Sequence, residues 1–347
     1  MAKKPVKKSP RVKRAAKPAA KRKAPAAHVS KAPALSDRLR GRKVPHIGHL
    51  AGDELLEIIA LAEWFRDHRY DDTYVDLLRG RIMGLVMVYE STRTRMGFEA
   101  AMAQLGGSTA YLPSSAMQLA RGETLADTAR ALDPMIDVFA GRLWKQTDME
   151  TVAANVSCPV VNACTPQDHT THVIGELMTV RQAFGHLQGI NLVYTGMARG
   201  IVHSFLRSCP PLGVNLTVAV PSSYTLVPEI LAEAEALAKK FGTRLVVSHD
   251  LKDAVKDADF IQQATLIRSM LAGEQSPEEK LVEVPKWTVT EEVMAAAPAH
   301  CLYSHSGPAH RGICASDAVM DGPRSRIPQE ARNAIFSKKA ILALVVK

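Results

Sequence analysis

Short apolar runs alternate with amphipathic helical stretches along most of this chain, and that alternation restricts the possible folds more than any other feature. Strands joined by helices lie parallel in a sheet, with helices covering both faces. The pattern therefore predicts an α/β fold, in which ligands bind beyond the carboxyl ends of the strands. The predicted strands are 82–88, 159–162, 190–194, 216–219, 245–247 and 260–261, and the main predicted helices are 53–67, 97–105, 129–135, 169–184 and 227–241.

The length of the chain predicts two domains, each a mainly parallel sheet flanked by helices. Its 347 residues exceed what one hydrophobic core usually organises. No apolar run reaches the roughly 18 residues that a membrane span requires, so no membrane association is expected. The 5 cysteines are few, odd in number and irregularly spaced, which favours a reducing, cytoplasmic location.

The first 36 residues carry all the excess positive charge. The chain has a net charge of +9, yet residues 1–36 hold 12 Lys and Arg and no acidic residue, which leaves 32 basic and 35 acidic residues in the remainder. A segment dominated by Lys, Pro and Ala cannot bury apolar surface, so we expect a disordered tail. Weak, salt-dependent polyanion binding is one role for it, and a simple solvated extension is the alternative.

Two arginines and three hydroxyl side chains stand together in Ser91-Thr92-Arg93-Thr94-Arg95, directly after the first long apolar run. At a strand-to-helix junction the first-turn N–H groups are free to bind an anion. Arginine adds bidentate bonds to phosphate oxygens. The segment predicts an oxyanion site, and a surface helix start with two solvated arginines is the alternative.

The segment from Glu90 to Glu99, followed by Leu105-Gly106-Gly107, resembles the carbamoyl-phosphate signature of the aspartate/ornithine carbamoyltransferase family. Further segments resemble later family motifs in the correct order, over roughly residues 40–345: Gln118-Leu119, 123–130, 137–142, 169–180, 196–206 and 300–312. The resemblance implies a carbamoyl-phosphate-binding domain at 37–180, an amino-substrate-binding domain at 181–325, and a C-terminal helix at 326–347 that packs back on the first domain.

The chemistry implied by the resemblance is attack of an amine on the carbonyl carbon of carbamoyl phosphate, with phosphate leaving. Charge develops on the carbonyl oxygen and the phosphate, so fixed positive donors matter more than a nucleophile. No covalent intermediate, cofactor or metal is required. Matching the motifs assigns phosphate binding to Ser91, Thr92, Arg93 and Thr94, and the catalytic contacts around the carbonyl oxygen to Arg142, His169 and Arg311.

The family also forms trimers in which a loop completes the site of the neighbouring subunit. Residues 113–118 match that loop, which assigns Gln118 to carbamoyl-phosphate binding in a partner subunit. A homotrimer, or a multiple of one, is therefore expected.

The chain departs from the family pattern where the second substrate is held. The family's His-Pro-x-Gln appears as 169–172, so His172 replaces the glutamine that binds the carbamoyl amide. Its Asp-x-x-x-Ser-Met-Gly appears as 265–271, with Thr265 in place of the aspartate that holds the amino acid, and Arg268 could bind an anionic group instead. Its His-Cys-Leu-Pro is matched to 300–302, separated from Pro308 by an apparent insertion at 303–307 that should reshape the pocket.

Several of these residues have other interpretations. His169 and His172, one helical turn apart, are also compatible with a structural or metal-binding pair. Cys301 could be a packed small hydrophobe, and His203 could cap a turn instead of contacting substrate. Zinc at the three histidines of 300–310 is disfavoured because no paired Cys/His set is present. The predicted second-substrate residues are His203, Arg268, Ser269, Met270, Cys301 and Leu302.

Three functions remain from the sequence. The first is a carbamoyltransferase that moves a carbamoyl group between carbamoyl phosphate and an amino or amide acceptor other than ornithine or aspartate. The second is an ornithine carbamoyltransferase with a rebuilt ornithine site. The third is a non-catalytic paralogue that binds phosphate metabolites, with the basic tail as an interaction arm.

Overall fold

The computed structural model describes residues 32–266 and 284–346. The predicted disordered tail, apart from its last few residues, and the predicted site residues Arg268, Ser269 and Met270 lie outside the described residues. No helix in the described part of the chain is long and apolar enough to cross a membrane.

Two parallel five-stranded sheets organise the described residues, which confirms the predicted α/β class. The first sheet has the order β1-β5-β4-β2-β3 and the second β10-β9-β6-β7-β8, and every neighbouring pair is parallel. The strands are β1 (Lys43–Val44), β2 (Ile82–Met87), β3 (Ser108–Pro113), β4 (Val138–Arg142), β5 (Val160–Cys164), β6 (Asn191–Thr195), β7 (Asn215–Ala219), β8 (Leu245–Ser248), β9 (Phe260–Gln263) and β10 (Leu302–His305).

Helices connect the strands and cover the sheets. They are α1 (Gly52–Asp67), α2 (Thr92–Gln104), α3 (Leu125–Leu132), α4 (Gln146–Asn155), α5 (Thr170–Phe184), α6 (Gly200–Ser208), α7 (Pro228–Phe241), α8 (Leu251–Ala254), α9 (Val284–Trp287), α10 (Glu291–Ala296), α11 (Asp317–Met320) and α12 (Ile327–Val345). Short 3-10 turns occur at Ile47–His49, Ser114–Ala116, Gln118–Arg121, Asp133–Met135 and Pro210–Leu212.

Local sequence explains where a helix such as α7 begins and ends. In α7, Ile230, Ala234 and Ala238 recur every four residues and are buried, so one stripe of the helix faces the sheet. Pro228 occupies the first turn, where its missing N–H is harmless, and Gly242 ends the helix in the left-handed conformation (φ 69°).

The last helix, α12, packs against α1, α2 and α5. Its apolar residues from Ala340 to Val345 belong to the same buried cluster as Phe98 of α2 and Leu177 of α5. The C-terminal segment therefore reaches the helices that follow β2 and β5, and this places its side chains beside the ends of the first sheet.

The predicted insertion at 303–307 is wrong. Residues 302–305 form β10, which pairs in regular parallel register with β9, from Leu302 opposite Phe260 to His305 opposite Gln263. The strand lies at the edge of the second sheet, and its buried residues are Tyr303, Ser304 and His305. Its sequence therefore lacks the aliphatic run from which a strand is usually predicted. Cys301 and Leu302 consequently lie at the start of a strand, and the cavity described below lies at its other end.

Candidate active site between the two sheets

A cavity of about 570 Å³ lies at the carboxyl ends of strands from both sheets. It is bounded by residues that end or follow β2, β4 and β5 of the first sheet and β6, β9 and β10 of the second, and by one face of α12. Its wall includes Tyr89, Glu90, Ser91, Thr92, Arg93, Thr94, Arg142, Trp144, Thr165, His169, His172, Met197, Arg199, Ala264, Thr265, Gly307, Pro308, Ala334 and Lys338. The position agrees with the rule that ligands bind beyond strand ends in parallel sheets.

The N-terminus of α2 forms one wall of this cavity. Ser91 is the N-cap residue, and its hydroxyl accepts a hydrogen bond from the Thr94 N–H at 3.3 Å. Capping fixes the first turn so that further N–H groups point away from the helix, where an anion can accept from them. The positive end of the helix dipole adds to the attraction.

Arg93 and Arg142 place two guanidinium groups at this helix end. Nη1 of Arg142 donates to the Thr94 hydroxyl at 3.4 Å, and its guanidinium lies 4.2 Å from the centre of the Tyr89 ring. Arg93 lies against Gly307, because a Cβ atom added to Gly307 would be 3.2 Å from the guanidinium carbon of Arg93. Partial burial, followed by the charge of Arg142, lowers the pKa of Arg93, as expected for two cations that face one cavity.

His169 is held at the start of α5 by a buried aspartate. Its backbone N–H donates to Ser204 at 2.8 Å, and the same Ser204 hydroxyl donates to Asp168 at 2.7 Å. Asp168 is fully buried and also accepts from the N–H groups of Ile47 (3.0 Å) and Thr170 (2.9 Å). These bonds fix the loop before α5, and with it the direction of the His169 side chain.

The His169 ring is neutral at physiological pH. Burial, followed by the charges of His172, Arg142 and Lys338, lowers its pKa well below the ordinary value. Its Nδ1 is buried and has no hydrogen-bond partner among the described residues. A neutral imidazole carries one N–H, so this ring can donate one hydrogen bond to an oxygen in the cavity.

His172 joins the cavity to a buried acidic cluster. Its Nε2 lies 3.2 Å from Glu176 and 3.8 Å from Glu330. Gln262 donates from one nitrogen to both carboxylates, at 2.9 and 3.1 Å, and the Ser306 hydroxyl donates to Glu176. Burial, followed by the charge of Glu176, raises the pKa of Glu330. The three side chains bring potential ligand atoms within 4.8 Å of one another, although hydrogen bonds already satisfy much of this cluster.

Comparison with known proteins covers both halves of the chain. Residues 42–182 match the model of the aspartate/ornithine carbamoyltransferase carbamoyl-P binding domain, and residues 188–345 match that of the Asp/Orn binding domain. The chain belongs to the aspartate/ornithine carbamoyltransferase family. It is a carbamoyltransferase, and the boundary between the matched domains falls between α5 and β6.

Individual members of the family are similar over most of their length. An ornithine carbamoyltransferase of Gloeobacter violaceus is 36% identical over 269 residues, which cover 78% of this chain and 85% of that protein. One of Bacillus thuringiensis is 36% identical over 291 residues, which cover 84% and 91%. The solved ornithine carbamoyltransferase of Pyrococcus furiosus superposes with a TM-score of 0.84 at 32% identity, covering 89% of this chain and 98% of that one.

Most of the residues assigned to carbamoyl phosphate from the sequence line the one cavity. The exception is Gln118, which begins a 3-10 turn after β3 and accepts a hydrogen bond from Arg121 at 3.3 Å. The residues brought together are Ser91, Thr92, Arg93, Thr94, Arg142, His169 and His172.

The structure does not bring Arg311 to the cavity. Its guanidinium donates to Asp317 at 2.6 Å and to both oxygens of Asp321 at 2.8 Å. The side chain is half exposed, and the two carboxylates raise its pKa further above the ordinary arginine value. In this conformation Arg311 stabilises the loop before α11, and two ion pairs would have to break before it could reach a substrate.

Three predicted second-substrate residues also lie away from the cavity wall. His203 is 1% exposed, its Nδ1 lies 3.4 Å from the Pro166 carbonyl, and its Nε2 accepts from the Val227 N–H at 3.3 Å. Burial lowers its pKa to about 4, so it is a neutral bridge between loops. Cys301 and Leu302 lie at the other end of β10, and burial raises the pKa of the Cys301 thiol to about 12.

The structure also changes the residues that fit the family's His-Cys-Leu-Pro pattern. With residues 302–305 in a strand, the four positions His305-Ser306-Gly307-Pro308 fit the pattern without an insertion. Gly307 and Pro308 line the cavity, as a substrate-binding motif should. His300-Cys301 also resembles the start of the pattern, because these residues repeat its first two letters five positions before His305.

Sequence reasoning missed two charged residues of the cavity wall. Arg199 is the residue before α6, and Lys338 lies on α12 among buried aliphatic residues. The signal for Lys338 was available, because a lysine on the apolar face of an otherwise buried helix is rarely placed there without a partner. For Arg199 the only sequence signal is its position in the turn between Gly196 and Gly200.

Proposed function

We propose that this carbamoyltransferase transfers the carbamoyl group of carbamoyl phosphate to an amino or amide acceptor that is less cationic than ornithine. The observation that carries the proposal is the charge of the cavity wall. In the part of the chain that the structure describes, four cationic side chains line it and Glu90 is its only carboxylate. The cations are Arg93, Arg142, Arg199 and Lys338.

The donor end of the reaction follows from the first-sheet residues. The α2 N-terminus with Arg93 binds the phosphate, and Arg142 reaches between the phosphate and the carbonyl oxygen. His169, a neutral N–H donor, stabilises the charge that develops on that oxygen as the acceptor nitrogen attacks. Phosphate leaves as a dianion already surrounded by donors, so the protein needs to supply position and fixed charge only.

The acceptor end of the cavity lacks the family's handle for an ammonium group. Thr265, which follows β9 and lines the cavity, occupies the position where ornithine-type members carry aspartate. A desolvated ammonium without its carboxylate costs several kcal/mol, which corresponds to a factor of hundreds or more in specificity. A neutral acceptor, or one that carries a carboxylate, avoids this desolvation cost.

Ornithine is the second candidate, and its support is specific. The relatives that match this chain at 36% identity are named ornithine carbamoyltransferases. If residues of the second domain rebuild an ammonium site, the Thr265 position would not decide the acceptor.

The test is steady-state carbamoyl transfer with a panel of cationic, neutral and carboxylate-bearing amines at saturating carbamoyl phosphate. We expect ornithine to have a specificity constant at least about 100-fold below that of the best neutral or acidic amine. Arg142→Ala is the control that should abolish transfer to every acceptor. If ornithine gives the highest specificity constant, the second candidate replaces the proposal.

A further inference from the structure

Lys338 places a buried amine in the wall of the active-site cavity. The residue lies on α12 and is 2% exposed. Its Nζ donates one hydrogen bond, to the carbonyl oxygen of Ala334 at 2.7 Å. No carboxylate of the described residues makes an ion pair with it within 4.0 Å, as the salt bridges of residues 32–266 and 284–346 show. An ammonium has three donors, so this side chain is incompletely satisfied.

Small residues on two helices make room for this amine. A Cβ at Gly97 of α2 would lie 2.9 Å from Cδ and 3.3 Å from Nζ of Lys338, so only glycine lets the side chain cross α2 this closely. Phe98, the next residue, has its ring centre 5.6 Å from the amine. Ala334, one turn earlier on α12, lines the cavity beside Lys338 with a side chain too short to cover it.

Three of the cations around this cavity, namely Arg93, Arg142 and Lys338, have no ion-pair partner among the described residues. Neither Arg93 nor Arg142 forms an ion pair within 4.0 Å in the described part of the chain, and Nε of Arg142 is buried without a partner. Burying cations together is costly unless an anion compensates them. Three cations without an ion-pair partner in one wall therefore fit an anion with two negative charges.

We propose that Lys338 is a third cationic ligand of carbamoyl phosphate, and that its amine takes up a proton when this dianion binds. The proposal rests on the carbamoyltransferase activity and not on the identity of the acceptor. An oxygen of the phosphate or of the carbamoyl group accepts hydrogen bonds from the N–H groups of Lys338 that do not bond to Ala334.

The coupling between binding and protonation follows from the surroundings of the amine. Burial lowers the pKa of Lys338 to about 8, so much of it is neutral at mildly alkaline pH. An anion beside it favours the charged form, so binding raises the pKa and draws in a proton above about pH 8. The other titratable or charged groups facing this region include Glu90 after β2, Arg93 on α2, Arg142 on β4, His169 before α5, His172 on α5, Arg199 before α6, His305 on β10, and Glu330 on α12.

Calorimetry of carbamoyl phosphate binding in buffers of different ionisation enthalpy tests the proposal on the whole protein. At pH 8.5 the wild-type protein should take up roughly half a proton or more per site, and far less at pH 6.5, where Lys338 is already charged. Inorganic phosphate is the second probe, because it requires no acceptor and does not react. A wild-type protein that takes up no proton at pH 8.5 overturns the proposal without any variant.

Lys338→Met should weaken carbamoyl phosphate binding at least about tenfold at pH 7, the scale of a lost charged hydrogen bond, and should remove the proton uptake. Lys338→Arg should retain binding and show no uptake, since arginine stays charged. Lys339→Met is the matched control, because Lys339 points toward Phe65 of α1, with its amine 4.4 Å from that ring. Wild-type affinity and uptake in Lys338→Met would refute the assignment. A failure of the proposed acceptor class would leave all these binding results unchanged.

Discussion

At the scale of single residues, the anion site depends on two arginines from different strand ends. Arg93 follows β2 and Arg142 ends β4, and these strands are neighbours in the first sheet, so the two guanidinium groups meet at one point. Sequence could place both, because each stands in a motif next to a strand. The apolar surroundings of Lys338 in the sequence mark it as unusual but do not place it at the cavity, because its approach depends on the packing of α12 across α2.

Replacing either Arg93 or Arg142 with alanine should raise the dissociation constant for carbamoyl phosphate by the equivalent of about 1.5 to 3 kcal/mol, the scale of charged hydrogen bonds. Calorimetry measures this directly. Arg95→Ala is the matched control, since Arg95 donates to Glu99 at 2.9 Å and stacks 3.8 Å from the Tyr111 ring. Unchanged affinity in both test variants, or an equal loss in the control, would contradict the assignment.

Glu330 should make the stability of the protein depend on pH. Its pKa is raised in the folded state, so the folded protein retains a proton that the unfolded chain releases above its ordinary pKa of 4.5. Its contribution is therefore fully present below that pH and is lost as the pH rises through the folded pKa. Glu330→Gln keeps the oxygen that accepts from Ser304 and Gln262 and removes the titration.

The variant should equal the wild type near pH 4 and become roughly 1 to 3 kcal/mol more stable at alkaline pH. Chemical denaturation across pH provides the measurement. Glu63→Gln, which alters a carboxylate that pairs with Arg181 nearer the surface, should show no such trend. A constant or reversed difference between Glu330→Gln and wild type would exclude a buried, proton-retaining carboxyl group.

At the scale of elements, the sequence predicts most of the central strands and long helices and misses three of the four edge strands. The run Ile82–Val88 predicted β2 to within one residue, because a strand buried on both faces needs a continuous apolar sequence. Strands β1, β3 and β10 and the central strand β4 were missed; β3 is an edge strand with no fully buried residue, and β10 carries polar buried groups. Because β10 was missed, the family's His-Cys-Leu-Pro motif was matched to residues 300–302, and Cys301 and Leu302 were assigned to the second substrate.

The contact between α6 and the loop before α5 should be intolerant of any side chain. A Cβ at Gly200, the first residue of α6, would lie 2.5 Å from the Thr165 carbonyl oxygen and 3.1 Å from that of Asp168. Backbone atoms cannot move aside cheaply, so Gly200→Ala should cost roughly 1 to 3 kcal/mol and shift His169. Thermal unfolding and turnover measure the two effects.

Gly175→Ala is the matched control for that variant. Gly175 lies inside α5, and a Cβ there would meet nothing closer than the Ser337 hydroxyl at 3.3 Å. Because alanine favours helix interiors by up to about 1 kcal/mol, this variant should be neutral or slightly more stable. A Gly200→Ala protein as stable and active as Gly175→Ala would show that the loop is not held as described.

At the scale of the whole molecule, the active site is assembled from parts that are distant in the sequence. Six strand ends and α12 contribute to one cavity, so sequence motifs identify its members without revealing which lie on the wall. This explains why seven of the predicted residues meet there while Arg311 and His203 do not. Arg311 and His203 are instead held away from the cavity wall by ion pairs and hydrogen bonds with other residues, and a sequence motif does not reveal such contacts.

We expect activity to require an oligomer, because residues 113–118 follow an edge strand of the first sheet and Gln118 lies outside the cavity of its own chain. Mixing Gln118→Ala with Arg142→Ala subunits should regenerate some intact sites and recover activity that neither variant has alone. Light scattering gives the assembly size in parallel. A fully active monomer, or no recovery in mixed assemblies that form, would contradict a shared site.

The central claim is that the cavity selects an acceptor less cationic than ornithine because Thr265 provides no carboxylate at the end of β9. The most direct measurement is the ratio of specificity constants for ornithine and for the best neutral acceptor in wild type, Thr265→Asp and the uncharged control Thr265→Asn. The account predicts that this ratio rises at least about tenfold in Thr265→Asp only, since a restored charge partner recovers part of the desolvation cost. A ratio that already favours ornithine in the wild type, or that is the same in all three proteins, would contradict it.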